Sequence, residues 1–427
     1  MSHFGVLSHS GVGHINPLIA LSRQLKARGH RVTFFQKPEL KSGLLLQGLE
    51  FSSISRVRLT QKMNRSVNEN TDTKSRLAIL RDCLGHIVSE MEISLREMPV
   101  ALAEAGIDVL IVDEIILSGP TLAQLLGIPY FVVSTSLPLS FGWSVLRRRS
   151  GYRVSTSLLS RLEDALLQVS VFRMRGPVRW RLNRFRRKYG LGPIQRLEIE
   201  FPALAHIAQL PECLDVPRSR LPDNFHYAGP FVDEAERPKV QFPWDHLDGR
   251  PMIYASLGTA RTVEASVIRF VAKACHELNL QLVLTSGGRR VPEEFTNLPG
   301  RPLVVRDAPQ LELLKRAEIV ITHCGLNTVL ETLIEGKPML AIPIAYDQPA
   351  IADRLAWLGV AEVLPFKGLA TRDVTMSLQK LLNDKRYRDA ALVLQGRIRN
   401  ACGLKRAADL IEAALERRMH KQAAPGD

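Results

Sequence analysis

Residues 322–336 read THCGLNTVLETLIEG, the most informative stretch of the chain. Apolar side chains recur every three or four residues across 326–334, which predicts a helix with one apolar face. Gly336 and Pro338 predict its end. The apolar residues 319–322 before it predict a buried parallel strand. The stretch therefore indicates a strand, a tight turn and a helix, the repeating unit of an open α/β sheet.

Short apolar runs followed by helical patterns occur throughout the chain and predict further parallel strands. In the first half the predicted strands are 4–8, 31–36, 109–113 and 130–134, and in the second half they are 252–257, 280–286, 319–322 and 339–342. The predicted fold class is therefore α/β, with two Rossmann-like doubly wound domains. Open sheets of this kind bind ligands at the carboxyl ends of their strands, so we expect the domains to face a central cleft.

Composition and periodicity place the domain boundaries. Turn-forming and acidic residues without periodicity fill 231–250, which predicts a linker. Residues 1–230 then form an N-terminal domain and residues 251–405 a C-terminal domain. Residues 406–427 form a C-terminal helix, which we expect to pack back on the N-terminal domain.

The chain has 427 residues, of which 45% are hydrophobic and 23% charged, a composition that excludes disordered, collagen-like and coiled-coil proteins. Its 57 Lys and Arg residues outnumber its 43 Asp and Glu residues, and the net charge of +14 favours anionic partners. Five widely spaced cysteines without a CxxC pair argue for a reducing compartment and against structural zinc. The sequence predicts neither a signal peptide nor a transmembrane helix. We therefore expect a cytoplasmic protein, in peripheral contact with the inner face of the membrane.

The turn after the strand 319–322 has the chemistry of an anion site. Free backbone N–H groups at a helix start and the helix dipole both favour a diphosphate. Glu331, one helical turn further on, can accept hydrogen bonds from ribose hydroxyls. Asp347 and Gln348 follow the next strand and offer an acid and an amide to the same ligand. A plain helix cap made by residues 327–328 is the alternative interpretation.

Residues 307–310, Asp-Ala-Pro-Gln, followed by residues 322–348 resemble the nucleotide-sugar signature of UDP-glycosyltransferases with the GT-B fold. The resemblance covers residues 4–410. It implies that His323, Asn327 and Thr328 hold the diphosphate of the donor. It also implies that Glu331 binds the ribose, and that Asp347 and Gln348 bind the sugar hydroxyls. The Asp-Gln pair is typical of glucose donors. The other donor-binding residues that the resemblance implies are Gly13, Thr135, Ser256, Gly258, Thr259, Ala308, Gln310, Gly325 and Leu326.

Two details of the donor site leave alternatives open. Asp307 occupies a position where many family members have an aromatic residue, so the choice between UDP and dTDP as donor nucleotide stays open. Residues 256–259, Ser-Leu-Gly-Thr, resemble the family's small loop that lets the backbone approach the phosphates. An ordinary turn between a strand and a helix is the alternative for this loop.

Residues 11–17, Gly-Val-Gly-His-Ile-Asn-Pro, partly imitate a dinucleotide-binding loop, but Asn16 stands in place of the third glycine. In the family that the chain resembles, the histidine of the Gly-His-x-x-Pro turn is the general base, and His14 matches it. An imidazole suits this task because its pKa of about 6.5 lies near working pH. Asp113, at the end of the strand 109–113, matches the residue that holds the other ring nitrogen. A helix-capping histidine and a solvated aspartate are the alternatives.

The resemblance implies an inverting transfer that uses a UDP-sugar, with UDP-glucose as the expected co-substrate and no metal or further cofactor. Residues 325–330 and 343–350 are most similar to those of bacterial zeaxanthin glucosyltransferases, which implies a hydrophobic acceptor such as a carotenoid. A phenolic or flavonoid, a sterol and a macrolide are alternative acceptors. The kind of glycoside, O-, N- or C-linked, and the oligomeric state also stay open.

Basic and aromatic residues cluster in Arg173–Lys188. Such a segment can attach to anionic lipid headgroups, at about 1 kcal/mol per basic residue. A solvated helix face is the alternative. We expect no nucleic-acid partner, because no known nucleic-acid-binding module accompanies the patch.

Three other functions are alternatives to glycosyl transfer: a nucleotide-sugar epimerase of the same fold, an NAD-dependent oxidoreductase, and a membrane-binding protein without catalysis. An oxidoreductase of this type needs a ribose-binding acid after the second strand. The chain has Gln36 and Lys37 there instead.

Overall fold

The structure is a computed structural model, and it describes residues 1–54, 76–138, 176–195, 203–218, 221–233, 240–258, 265–286, 295 and 297–423. These residues fold into two parallel β-sheets, each accompanied by helices. The predicted α/β class with two doubly wound sheets is confirmed.

The strands of the N-terminal sheet that lead to the predicted catalytic residues lie near its centre. In chain order its strands are β1 (His3–Leu7), β2 (Arg31–Gln36), β3 (Glu50–Ser53), β4 (Val109–Asp113), β5 (Tyr130–Ser134), β6 (His206–Ala208) and β7 (Phe225–Tyr227). Its helices are α1 (Val12–Ala27), α2 (Lys41–Leu46), α3 (Arg76–Glu104), α4 (Gly119–Leu126) and α5 (residues 176–188). The spatial order is β3-β2-β1-β4-β5-β6-β7, with parallel pairings. The direction of winding reverses between β1 and β4, which is where such sheets bind ligands.

The C-terminal sheet repeats this plan. Its strands are β8 (Met252–Ser256), β9 (Gln281–Thr285), β10 (Leu303–Val305), β11 (Ile319–Thr322), β12 (Met339–Ala341) and β13 (Ala361–Val363). Its helices are α6 (Ala265–Glu277), α7 (Gln310–Arg316), α8 (Leu326–Ile334), α9 (Gln348–Trp357), α10 (Thr371–Asn383) and α11 (Lys385–Arg399), and α12 (Gly403–Ala423) follows them. The spatial order β10-β9-β8-β11-β12-β13 places the reversal between β8 and β11.

The strands that the sequence predicted correctly are those marked by a run of mostly apolar residues. Residues of β1 and β4 are buried along the entire strand, as expected where helices cover both faces of a parallel sheet. The sequence did not predict β3, β6, β7, β10 and β13. These strands have three or four residues and lie at or next to the sheet edges, so their apolar signal is too short to recognise.

The last helix, α12, packs against α1 of the N-terminal sheet. Ile411 and Leu415 of α12 share one buried apolar cluster with Leu21 of α1. Burial of each such side chain is worth roughly 1.5–3 kcal/mol. Gly403 lets the chain cross back closely, since a Cβ atom there would lie 2.1 Å from the carbonyl oxygen of Pro230. The chain therefore returns from the C-terminal sheet to the N-terminal one.

The two halves also meet beside the cleft. One apolar cluster contains Leu137 and Leu214 of the first half together with Leu326 of the second. Nη2 of Arg354, on α9, donates to the carbonyl oxygen of Cys213 at 2.9 Å. These contacts hold the carboxyl ends of the two sheets toward each other.

Candidate active site

The carboxyl ends of β4 and β5 and the first turn of α1 bring three polar side chains together. Nδ1 of His14, in α1, is 2.9 Å from Oδ2 of Asp113 at the end of β4. Oγ1 of Thr135, directly after β5, is 2.7 Å from the same nitrogen. The Asp113 side chain is 1% exposed and the His14 side chain 23% exposed. The ring is therefore anchored by a buried carboxylate and still reaches solvent.

The partners of His14 define its tautomer. A carboxylate can only accept a hydrogen bond, so Nδ1 carries the proton in this pair and Nε2 carries the lone pair that a general base needs. Burial by itself lowers the pKa of His14. The charge and hydrogen bond of Asp113, and further carboxylates at Asp347 and Glu90, outweigh burial and raise the pKa above its ordinary value of 6.5.

Gly11 allows a second histidine to pack against this site. A Cβ atom at Gly11 would lie 2.9 Å from Nδ1 of His9, and the Gly11 N–H donates to that nitrogen at 3.0 Å. The rings of His9 and His14 meet edge to face with centroids 5.2 Å apart. Glu90 of α3 pairs with Lys37 at 2.9 Å and lies 3.8 Å from Nε2 of His9. The sequence did not predict that His9, Lys37 and Glu90 lie beside His14. Of the three, only His9 is close to a predicted residue in the sequence.

His323 lies in the turn between β11 and α8, where two glycines make room for its ring. A Cβ atom would lie 2.8 Å from Nε2 of His323 at Gly258 and 2.7 Å from it at Gly325. Nδ1 of His323 is 3.3 Å from the carbonyl oxygen of Ser256. A carbonyl can only accept, so Nδ1 carries the proton and Nε2 the lone pair. Burial lowers the pKa of His323, which favours the neutral ring.

Both turns predicted to hold the donor contain unusual backbone. Cys324 (φ 67°) in the β11–α8 turn and Tyr346 (φ 61°) in the β12–α9 turn adopt the left-handed conformation that residues other than glycine rarely adopt. Such strain is concentrated at functional sites. Gly325 is the extended cap before α8, and Leu326 starts a first turn whose N–H groups have no intrahelical acceptors. This is the arrangement that favours an anion.

A buried chain of hydrogen bonds orients Glu331, which is 2% exposed. Nε2 of Gln310 donates to Oε2 of Glu331 at 2.6 Å, and the hydroxyl of Tyr254 donates to Oε1 of Gln310 at 3.0 Å. Two predicted donor residues, Glu331 and Gln310, are therefore in direct contact. Ala308 is half-buried two residues before Gln310, and the Asp307 residue that replaces an aromatic is exposed.

Asp347 and Gln348 lie where β12 leads into α9. Oδ2 of Asp347 accepts from the N–H of Leu137 at 3.3 Å, and burial raises the pKa of this carboxyl. Oε1 of Gln348 accepts from the N–H groups of Ile344 and Ala345, each at 2.9 Å. Because this oxygen supports its own turn, the predicted contact with sugar hydroxyls is left to the amide nitrogen of Gln348.

The predicted diphosphate turn touches the turn that holds the predicted base. Nδ2 of Asn327 donates to the carbonyl oxygen of Gly13 at 2.9 Å. Thr328, the next residue, is 8% exposed. Thr259 lies outside the described residues. Within the described ranges, no three His, Cys, Asp or Glu side chains are grouped as metal ligands.

The prediction that Arg186 belongs to the membrane patch is wrong. Its side chain is buried, and its guanidinium donates to Gly192 O at 2.7 Å, Thr121 Oγ1 at 3.1 Å and Gln124 Oε1 at 2.8 Å. A guanidinium that is satisfied in this way joins α5 to α4 and is not available to lipid. The part of the patch over 173–175 lies outside the described residues.

The opposite side of α5 is exposed and basic. Its exposed basic and aromatic residues are Arg179, Trp180, Arg181, Arg184, Arg187 and Lys188. Trp180 is 56% exposed, and the Arg184 guanidinium lies 5.8 Å from the centroid of its ring. None of the helices in the described part of the chain is long and apolar enough to span a membrane.

Two doubly wound parallel sheets whose carboxyl edges face each other have the GT-B fold, as in solved glycosyltransferase structures. The chain belongs to the family of the UDP-glucoronosyl and UDP-glucosyl transferases, whose family model matches residues 50–401. The predicted family and the predicted GT-B fold are thereby confirmed.

Similar proteins agree with this assignment. The chain is 29% identical to the zeaxanthin glucosyltransferase of Pantoea ananas over 438 residues, covering 97% of this chain and 96% of that protein. It is 28% identical to the zeaxanthin glucosyltransferase of Pseudescherichia vulneris, covering 97% and 98%. Among solved structures, the glycotransferase of kitacinnamycin matches with a TM-score of 0.77 at 23% identity, covering 97% of this chain and 99% of that one.

Proposed function

We propose that this glycosyltransferase moves glucose from UDP-glucose to a hydroxyl of a hydrophobic small molecule, with inversion at C1 of the sugar and without a metal ion. The observation that supports this best is the 2.9 Å hydrogen bond between Asn327 and the carbonyl of Gly13. It sets a helix start suited to a diphosphate against the turn that holds His14. Acid-base and anion-binding groups from opposite halves can therefore act on one donor.

In the proposed reaction, Nε2 of His14 takes the proton of the acceptor hydroxyl. The hydroxyl oxygen forms a bond to C1 of glucose, while the bond from C1 to the diphosphate oxygen breaks on the opposite face and its electron pair leaves with the diphosphate. Asp113 stabilises the imidazolium that results and keeps the ring in the right tautomer. The start of α8, with Asn327 and Thr328, stabilises the charge on the leaving diphosphate.

The remaining proposed donor contacts are those to the ribose and to the sugar. Glu331, oriented by Gln310, would accept from the ribose hydroxyls, and Asp347 with the Gln348 amide nitrogen would bind the sugar. A glucose donor is proposed because of this Asp-Gln pair. UDP is proposed over dTDP from the family alone, because Asp307 supplies no aromatic ring for the base.

A hydroxylated carotenoid is the proposed acceptor, and the support is the similarity to the two zeaxanthin glucosyltransferases. We assign acceptor binding to the N-terminal domain, residues 1–230, with residues 231–250 as linker and residues 251–405 as donor domain. A carotenoid resides in the bilayer, so we also propose a cytoplasmic protein that touches the inner face of the membrane through the exposed side of α5.

The test is an assay of purified protein with UDP-glucose and zeaxanthin or a flavonoid, read by mass spectrometry and by the anomeric configuration of the product. A β-glucoside formed equally well in EDTA is the expected result. A product with retained configuration, or EDTA-sensitive turnover, would contradict the proposed mechanism. Isomerised UDP-sugar without acceptor would favour the epimerase, and binding of NAD alone the oxidoreductase.

The membrane contact has its own test. Arg184→Gln/Arg187→Gln/Lys188→Gln should reduce binding to vesicles of phosphatidylserine and phosphatidylcholine roughly a hundredfold at low salt, at about 1 kcal/mol per residue. The matched control is Lys367→Gln/Arg372→Gln/Lys385→Gln, which removes the same charge from exposed positions of the C-terminal half. Equal sedimentation of the two triple variants would contradict a contact through α5.

A further inference from the structure

Gln209, the residue after β6, connects the two halves at the candidate site. Its side chain is 1% exposed. Its Nε2 donates to the carbonyl oxygen of Thr135 at 2.6 Å and to Oδ1 of Asn327 at 2.7 Å. Nδ2 of Asn327 donates in turn to the carbonyl oxygen of Gly13. One chain of hydrogen bonds therefore joins Thr135, which contacts His14, to Gly13, which precedes it in the sequence. The chain runs through the side-chain amides of Gln209 from the first half and Asn327 from the second.

The two ends of this chain fix the orientation of both amides. The carbonyls of Thr135 and Gly13 can only accept hydrogen bonds. Gln209 must therefore turn its nitrogen toward Thr135, and that nitrogen can only donate to Asn327. Asn327 consequently turns its oxygen toward Gln209 and its nitrogen toward Gly13. Reversing either amide would bring two acceptors face to face, which is costly for the buried Gln209 side chain.

We propose that Gln209 is a positioning residue for the donor: it holds the amide of Asn327 in one orientation and keeps the start of α8 in register with His14. This inference rests on the proposed role of Asn327 in binding the diphosphate. Asn327 has two amide hydrogens, and Gly13 uses one of them. With its oxygen held by Gln209, Asn327 presents N–H groups, and not an acceptor, on the side away from Gln209.

The backbone around Gln209 does not depend on its side chain. The Gln209 N–H donates to the carbonyl oxygen of Ser134 at 3.1 Å, which continues the ladder between β5 and β6. A side-chain substitution should therefore leave this part of the sheet intact. That separates a loss of positioning from a loss of folding.

The first experiment measures UDP binding by calorimetry in Gln209→Met, which keeps the side-chain length and removes the hydrogen bonds. We expect UDP affinity to fall roughly tenfold, the worth of about one hydrogen bond at a binding site. The matched control is Gln281→Met. Gln281 is also a buried glutamine bound to backbone, but it lies at the amino-terminal end of β9, away from the carboxyl edges. UDP affinity should not change in this control.

The second experiment distinguishes positioning from a general structural contact. In an Asn327→Ala background, Gln209→Met should have no further effect on UDP affinity, because its route to the donor is gone. Gln209→Glu should weaken UDP binding more than Gln209→Met, since a carboxylate would oppose both Thr135 O and Asn327 Oδ1. Thermal melts establish that each variant is folded.

The outcomes separate the inference from the proposed function. A wild-type protein that binds neither UDP nor dTDP would overturn the donor site itself. UDP binding in the wild type, with a Gln209→Met effect that is absent or equal with and without Asn327, would overturn the positioning role alone.

Discussion

Two histidines occupy similar places in the two sheets, yet their surroundings shift their pKa values in opposite directions. Each follows a strand at the carboxyl edge of its sheet, His14 in the first turn of α1 and His323 in the turn before α8, and each uses Nδ1 to contact a fixed oxygen. The partner of His14 is the carboxylate of Asp113, and the pKa of His14 is raised. The partner of His323 is the carbonyl of Ser256, and the pKa of His323 is lowered. A full negative charge outweighs burial, whereas a carbonyl dipole does not.

This difference assigns different chemistry to the two rings. His14 can keep a proton that it takes from a hydroxyl, because Asp113 stabilises the imidazolium. Burial lowers the pKa of His323 and so favours the neutral ring in the free protein, whose Nε2 lone pair would repel a phosphate oxygen. The charge of a bound diphosphate raises the pKa of a nearby histidine. We therefore expect His323 to gain a proton when the donor binds, and to donate it as a hydrogen bond.

The largest expected effect comes from His14→Ala. Without the proposed base, kcat should fall roughly 10⁴-fold, the upper end of general-base catalysis, while UDP affinity stays unchanged. Steady-state kinetics and calorimetry measure the two quantities. His420→Ala, exposed on α12, is the control for loss of a histidine. An unchanged kcat in His14→Ala would show that another group is the base and that the raised pKa of His14 does not serve catalysis.

Asp113→Asn should have a smaller but still large effect. An amide cannot supply the negative charge, so kcat should fall roughly 10²- to 10³-fold. The base works only when deprotonated, so kcat/KM rises with pH through the raised pKa of His14. Loss of Asp113 lowers that pKa, and the acidic limb of the profile should move to lower pH. A limb that does not move would show that Asp113 leaves the charge of His14 unaffected. Asp223→Asn, an exposed position, is the control.

His323→Ala should weaken UDP binding without the loss in kcat seen for His14→Ala. The loss of one charge-assisted hydrogen bond predicts roughly a tenfold to hundredfold higher Kd. Calorimetry in buffers of different protonation enthalpy should show proton uptake on UDP binding by the wild type and by His14→Ala. The uptake should vanish in His323→Ala. Uptake that persists in this variant would belong to another group.

The sequence predicted the central strands and the residues in the turns that follow them. In β1, β4, β8 and β11 an apolar run leads directly to a polar turn, and both signals are local. The short strand β6 has no such run, and Gln209 directly after it was therefore missed. Glu90 and Lys37 were missed because α3 and the end of β2 meet only in the folded sheet.

Arg186 shows the reverse error. In the sequence it is one of several basic residues in a row and was grouped with a surface patch. In the fold it lies on the side of α5 that faces α4, where Thr121 and Gln124 accept its hydrogen bonds. The sequence spacing around Arg186 does not reveal which basic residue has buried acceptors, because those acceptors belong to another helix.

The sequence by itself determined the two α/β halves, the family, and the positions of His14, Asp113 and His323 at the carboxyl edges of the two sheets. These features depend on apolar periodicity and on short motifs, which are properties of neighbouring residues. The tertiary structure alone decided which tautomer each histidine adopts, which carboxylates face His14, and that Gln209 joins Thr135 to Asn327. Hydrogen bonds and charge effects depend on distances between groups far apart in the chain, 99 residues for His14 and Asp113 and 118 for Gln209 and Asn327. Only folding sets such distances.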